Sequence, residues 1–180
     1  MNIVIKPLLI VSDVFNEAER NILNQHVSNY DWFLDNYSTS ADDYNIPRFW
    51  ARRPRDTHAA FVCGEFFKSK IEASTKLKVE VLRIHINGQT HGQCGDWHRD
   101  ASPDSPGVEH TYTMVYFPKE WLPEYGGHLL IRLNGEIHSI LPEFNKGVIF
   151  RRTTEHVGLE PTIHCKHMRE SIACNFRVIV

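Results

Sequence analysis

The sequence predicts a mainly β fold with flanking helices: a double-stranded β-helix (jelly roll) core with N-terminal α-helices packed outside it. Three observations carry this. From residue 78 onward the chain becomes a series of short runs, KVEVLRIHI, HTYTMVYF, GGHLLIRL, EIHSIL, GVIFR and RESIACNFRVIV, rich in β-branched and aromatic residues. Gly, Pro, Asn and Asp separate these runs, a texture that fits a sandwich or barrel better than a parallel α/β sheet. Ahead of residue 78, two stretches instead read as helices.

Residues 3–11 read as an N-terminal strand, since Lys6 and Pro7 break the apolar start too early for a signal peptide or membrane span. In SDVFNEAERNILNQHVSNY, Val14, Phe15, Ala18, Ile22 and Leu23 recur at helical spacing, with Ser12 and Asp13 as possible caps, so a helix is expected from about 14 to 28. Residues 36–56 read as irregular, and DTHAAFVCGEFFKSKIEAST as a second helix. With 180 residues and no linker or repeat, a single domain over 1–180 is expected, helical to about residue 77 and jelly roll from about 78 to 180.

Composition excludes several classes. The net charge of −2 gives no reason to expect a general nucleic-acid binder. The four cysteines, Cys63, Cys94, Cys165 and Cys174, are far apart and form no C-x-x-C, so a disulfide framework or zinc knuckle is not expected and a reducing cytoplasm is. Of the 11 histidines, several fall near the middle of the chain, which raises the question of metal ligation.

The stretch GDWHRDAS, residues 95–102, answers it in part. In an extended segment His98 and Asp100 share one face, with Trp97 and Arg99 on the other. An imidazole beside a carboxylate can chelate a divalent ion, and one more histidine would complete a 2-His-1-carboxylate facial triad, the open set that suits non-haem Fe(II). His156, in GVIFRRTTEHVGLEP, is the leading candidate; His138, His164 and His167 are rivals. A closed zinc site would use more thiolates. A cupin would show H-x-H and a glutamate where this chain has H-x-D, and a non-catalytic jelly roll would need no ligands at all.

His98-x-Asp100, a distal His156 and Arg169-x-Ser171 on the last strand, with VLRIHINGQ, YTMVYF and YGGHLLI in order between and around them, resemble the iron- and 2-oxoglutarate-dependent dioxygenases, and more narrowly the prolyl-hydroxylase-like branch. The resemblance covers about residues 78–180 and extends loosely to LLIVSDVFNEAERNIL. It implies that His98, Asp100 and His156 hold Fe(II), that Arg169 pairs with the distal carboxylate of 2-oxoglutarate, and that Ser171 and Tyr116 add hydrogen bonds to it. An arginine suits that role because its planar fork meets a carboxylate with two charge-assisted bonds. Arg177 shares the parity of Arg169 and competes for the assignment. Tyr112 and Met114 share a face with Tyr116, so Tyr112 is a further candidate for the pocket lining.

The implied chemistry uses Fe(II), 2-oxoglutarate as co-substrate and O2, with ascorbate as a candidate reductant. The products are succinate, CO2 and a hydroxylated C–H bond. Asp100 favours hydroxylation over halogenation, because related halogenases lack this carboxylate. A prolyl residue in a peptide or protein is the first candidate substrate, and a free amino acid or other small molecule the second. A monomer or small homo-oligomer is expected, with no membrane partner. His85 is a further candidate for lining the site, and RFWARRPRD (48–56), basic and aromatic, reads either as a solvated loop or as a lid over an acidic or peptide substrate.

Overall fold

In the computed structural model, residues 5–28, 31–36, 48–52 and 57–179 are described. The chain runs β1 (Leu8–Val11), α1 (Glu17–Ser28), β2 (Phe33–Asn36), β3 (Phe49–Arg52), α2 (Thr57–Thr75), β4 (Val79–Gln89), β5 (Thr111–Phe117), β6 (Leu129–Leu133), β7 (Glu136–Ile140), β8 (Lys146–Arg151), β9 (His156–Gly158) and β10 (Arg169–Val178), with single 3-10 turns at Val108–His110 and Pro123–Tyr125. A seven-stranded sheet has the order β1-β8-β5-β10-β4-β3-β2, and a three-stranded sheet the order β7-β6-β9. Among the described residues the strands pair antiparallel throughout both sheets, the double-sheet arrangement of a jelly roll.

The large sheet is covered on both faces, which is why β5 is buried at every position. Its outer face carries Tyr112, Met114 and Tyr116 of β5, Ile149 of β8, and Ile172, Cys174, Phe176 and Val178 of β10. Leu23 and Val27 of α1 and Cys63, Phe67 and Ile71 of α2 pack onto that face at the four-residue spacing of a helical stripe. Phe15 meets Phe67 and Tyr116 edge-on, with ring centroids 5.4 and 5.0 Å apart. The inner face carries Val115 and Phe117 of β5 and Val148 and Phe150 of β8, which pack against Leu129, Ile131 and Ile140 of the small sheet. Where the small sheet ends, the space between the two sheets is a polar cavity.

Several expectations shift at the N-terminal side. The first strand spans Leu8–Val11 only, paired with β8; residues 3 and 4 of the expected strand lie outside the described residues. The cap of α1 is Asn16 rather than Ser12 or Asp13. Asn16 Oδ1 accepts the Glu19 N–H at 3.0 Å while the Glu19 carboxylate accepts the Asn16 N–H at 2.8 Å, a reciprocal capping box that starts the helix three residues late. Residues 49–52, expected to be irregular, are a strand held between β4 and β2: Trp50, Ala51 and Arg52 pair with Gly88, Asn87 and Ile86. Arg52 stacks 4.2 Å from the Trp32 ring and donates to Val27 O, so this part of 48–56 is not a solvated loop; residues 53–56 of the expected loop or lid lie outside the described residues. The part before residue 77 thus supplies three strands to the large sheet as well as two helices.

Candidate metal centre and its anion anchor

β9 is short, yet it builds the centre of the site. His98 forms an isolated antiparallel bridge with His156: each backbone N–H donates to the other residue's carbonyl at 3.0 Å. Directly opposed residues point to the same side of a sheet, so the two imidazoles stand together with ring centroids 4.3 Å apart. Two residues on from His98, alternation returns Asp100 to that side. Its Oδ1 lies 3.9 Å from Nε2 of both histidines, and one ligand atom from each residue falls within 4.8 Å of the others. Among the described residues this is the cluster of His, Cys, Asp and Glu close enough to share an ion; His138, His164 and His167 are not in it.

The tautomers are set by the backbone. His98 Nδ1 lies 2.8 Å from Asp96 O, and His156 Nδ1 lies 3.0 Å from Thr154 O. A carbonyl only accepts, so each Nδ1 carries a proton and each Nε2 is the ring nitrogen turned toward Asp100, the one available to a metal. Thr113 donates its hydroxyl to Asp100 Oδ2, which leaves Oδ1 as the oxygen facing the two Nε2 atoms. The same hydroxyl lies 3.0 Å from Asn175 Oδ1. Burial holds the His156 imidazole well below the ordinary histidine range; Asp100 opposes that shift and His98 adds to it. The neutral imidazole a metal needs is therefore the resting form.

Outside the ligand face, Trp97 and Arg99 brace the loop. Arg132 lies 4.5 Å from the Trp97 ring, and Arg99 and Arg132 both pair with Glu155, at 2.9 and 2.7 Å. These partly exposed pairs add little stability singly, but they tie the His98 loop to the turn that carries His156.

The ligand cluster opens into a cavity of about 280 Å3. Its β4 wall is Arg83, His85, Asn87 and Gln89, its β10 wall is Arg169, Ser171, Ala173 and Asn175, and β5 contributes Thr113 and Val115. Arg169 is 2% exposed. Its Nε donates to Gly127 O at 2.5 Å and its Nη1 to Gln89 Oε1 at 2.9 Å; both acceptors are neutral, and no carboxylate among the described residues pairs with it. Burial pulls its pKa down to about 10, with Cys94 acting in the other direction, so it remains charged at neutral pH. A buried cation without a counter-charge, at the wall of a cavity, is a place for an anion.

Arg177, the competitor, is half exposed at the far end of β10, 3.8 Å from Glu80, and does not line the cavity. Ser171 does line it, as does His85. Tyr116 and Tyr112 are corrections. Both lie on the outer face of β5 among helix side chains, and Tyr116 donates its hydroxyl to Asn145 Oδ1 at 3.2 Å, with burial pushing its pKa up to about 12. The β5 residue beside Arg169 is Phe117, whose ring centre is 5.5 Å from the guanidinium carbon. Sequence reading passed over Thr113, Gln89 and Asn175. The signal for the β4 wall was present, because in RIHINGQ every polar side chain falls on one parity.

The donor set fits Fe(II): two imidazoles and one carboxylate on one side of the ion, with the cavity on the other. The buried, uncompensated Arg169 fits the far carboxylate of 2-oxoglutarate. A family model described as the 2OG-Fe(II) oxygenase superfamily matches residues 82–177. No curated protein sequence matches the chain. Among solved structures it is similar to a prolyl hydroxylase in complex with a hypoxia inducible factor oxygen degradation domain peptide fragment from Trichoplax adhaerens, at 12% identity and TM-score 0.66, covering 96% of this chain and 83% of that one. A Pseudomonas putida prolyl-4-hydroxylase matches at 17% identity and TM-score 0.65, over 97% and 94% of the two chains. HygX from Streptomyces hygroscopicus, solved with nickel, 2-oxoglutarate and hygromycin B bound, matches at 11% identity and TM-score 0.62, over 95% and 82%. At these identities the solved structures show a shared fold. With the family model matching more than half of the chain, over a span that includes His98, Asp100 and His156, the chain belongs to the 2OG-Fe(II) oxygenase superfamily.

Proposed function

We propose that the chain is an Fe(II)- and 2-oxoglutarate-dependent dioxygenase that hydroxylates a C–H bond of a prolyl residue in a peptide or protein, releasing succinate and CO2. The observation that carries this is the pairing, across one cavity, of the His98/Asp100/His156 cluster with a buried Arg169 that has no carboxylate partner among the described residues. Bound Fe(II) with 2-oxoglutarate and O2 would supply the oxidising power for the C–H bond, and ascorbate would serve as the reductant that restores Fe(II). The protein's own residues orient and exclude. Nε2 of His98, Nε2 of His156 and an Asp100 oxygen hold the metal, and Thr113 fixes the carboxylate's rotation. Arg169 aligns the co-substrate from its far end, and Ser171, two residues on along the same face of β10, offers a hydroxyl to it. The apolar side chains Val115 and Leu129 keep water from that end of the cavity.

The prolyl assignment draws on the likeness to two prolyl hydroxylases, one of them in complex with a peptide. A second reading, a free amino acid or other small polar molecule, is favoured by the cavity wall itself, where Arg83, His85, Asn87 and Asn175 replace the apolar lining that most ligand pockets have. Residues 1–180 act as one catalytic domain in either case. The four thiols, all unpaired, support a reducing compartment such as the cytoplasm, and among the described residues no helix is long and apolar enough to cross a membrane.

The test is conversion of labelled 2-oxoglutarate to succinate with Fe(II), against a panel of prolyl peptides and a panel of free amino acids. Turnover that rises with one panel and vanishes in Asp100→Ala assigns the class. Tight zinc binding with no decarboxylation under any condition would instead mark a different metalloprotein on this fold.

A further inference from the structure

Gln89 is a buried amide with three hydrogen bonds, and the ligand set above gives it no task. It closes β4 directly opposite Arg169 in the β4–β10 register and is 4% exposed. Its Nε2 donates to Gln93 O at 2.9 Å and to Gly158 O at 3.0 Å. Two carbonyls can only accept, so the amide orientation is fixed and Oε1 must face Arg169 Nη1, 2.9 Å away. Arginine has five N–H donors. Gln89 and Gly127 take two, and three remain for the cavity.

Backbone closes around the fork. A Cβ at Gly158 would lie 3.1 Å from Gln89 Oε1 and 3.5 and 3.6 Å from the two Arg169 Nη atoms. Gly158 follows the ligand His156 by two residues on β9, so Gln89 joins the strand of the metal ligand to the strand of the anion anchor.

We propose that Gln89 is a positioning residue for the co-substrate: it aims the Arg169 fork into the cavity while leaving its charge uncancelled, so that the counter-ion is the far carboxylate of 2-oxoglutarate. The proposal rests on the dioxygenase reading above. It explains why the partner is an amide. A glutamate at 89 would form an internal ion pair with Arg169 and compete with the ligand. An apolar residue would strand Nη1 and two carbonyls.

The test uses the full chain loaded with Mn(II) under anaerobic conditions, so that no turnover is needed. Calorimetry compares 2-oxoglutarate with 2-oxovalerate, which keeps the keto-acid end and carries a methyl group in place of the far carboxylate. The wild type should prefer 2-oxoglutarate by about 100-fold, the range of a charged hydrogen-bonded contact. Gln89→Glu should reduce that preference to about threefold, and Gln89→Met to about tenfold, with Mn(II) affinity and the affinity for 2-oxovalerate unchanged in both. A merely structural role would lower all three affinities together, or lower the melting temperature without moving the preference, and either result overturns the proposal. If Gln89→Glu does not fold, Gln89→Met carries the same comparison. A wild type that binds Mn(II) but shows no preference between the two keto acids overturns the dioxygenase reading itself, a result distinct from failure of the Gln89 assignment alone.

Discussion

Replacing Thr113 by valine should weaken the metal centre without touching a ligand. The swap keeps the shape of the side chain and removes its hydroxyl. Thr113 is 1% exposed, so the rest of the residue stays packed when the hydroxyl is removed. In the native site that hydroxyl donates to Asp100 Oδ2 while Oδ1 faces both histidine Nε2 atoms at 3.9 Å. Without it the carboxylate is free to rotate about its Cβ–Cγ bond, and Asn175 Oδ1 loses a neighbour at 3.0 Å. A hydrogen bond to a charged group contributes about 1.5–3 kcal/mol. Every 1.4 kcal/mol is tenfold, so the whole loss, felt at the ligand, is a factor of about 10 to 100 in metal affinity, which matches the usual effect of removing a partner of a ligand. Anaerobic calorimetric titration of the metal-free protein with Mn(II) measures it, beside Thr113→Ser, which keeps the hydroxyl and should recover most of the affinity. A folded Thr113→Val protein that binds Mn(II) within about twofold of wild type would refute the claim that Thr113 sets the rotation of Asp100.

Tyr116→Phe should leave the affinity for 2-oxoglutarate unchanged and lower unfolding stability by about 1 kcal/mol, since the hydroxyl serves Asn145 and not the cavity; a tenfold loss of co-substrate affinity would place it in the pocket after all. Asn145→Ala should cost about 3 kcal/mol in chemical denaturation, because Asn145 holds Phe15 through both N–H and C=O and adopts φ 58. The metal-free protein should lose stability on acidification through His156. Its folded pKa is depressed by burial, so below the unfolded value of about 6.5 the unfolded chain binds a proton that the folded chain does not. Stability is therefore full above that pH and declines as the pH falls toward the folded value; denaturation midpoints that rise between about pH 7 and 5 would contradict the assignment. Gly127→Ala should impair co-substrate binding and folding together, because φ is 68 there and a Cβ would lie 2.9 Å from Arg169 Cδ.

Much of the architecture was legible because its signals are local. The six turn-separated β runs from residue 78 became β4 to β8 and β10, and the two helices appear where helices were expected. What escaped was set by partners far away in the chain. Phe49–Arg52 looks irregular by itself and becomes a strand because the edge of β4, with Ile86, Asn87 and Gly88, offers it a ladder. The start of α1 moved because Asn16 and Glu19 cap each other, a pattern that Ser12 and Asp13 upstream obscured.

The site divides along the same line. His98 and Asp100 were readable from alternation within one strand, and His156 from its place after a buried run. Placing Tyr116 required knowing which side of β5 faces the cavity, and there alternation is silent. It sorts Tyr112, Met114 and Tyr116 from Thr113, Val115 and Phe117, but both sets are buried, one under helices and one under the small sheet. Composition could have broken the tie through a neighbour. On β4 one parity holds Arg83, His85, Asn87 and Gln89 and the other holds Ile84, Ile86 and Gly88. Four polar side chains do not line up under a helix-packed core, so that parity must face the cavity. The β10 register then fixes its own inner face: Gln89 opposes Arg169, Asn87 opposes Ser171, and His85 opposes Ala173. Ala173 in turn opposes Val115 of β5, which puts Thr113 and Val115 inside and Tyr116 outside. The face of a doubly buried strand is thus decided by the polar alternation of a strand two places away in the sheet, carried across by register.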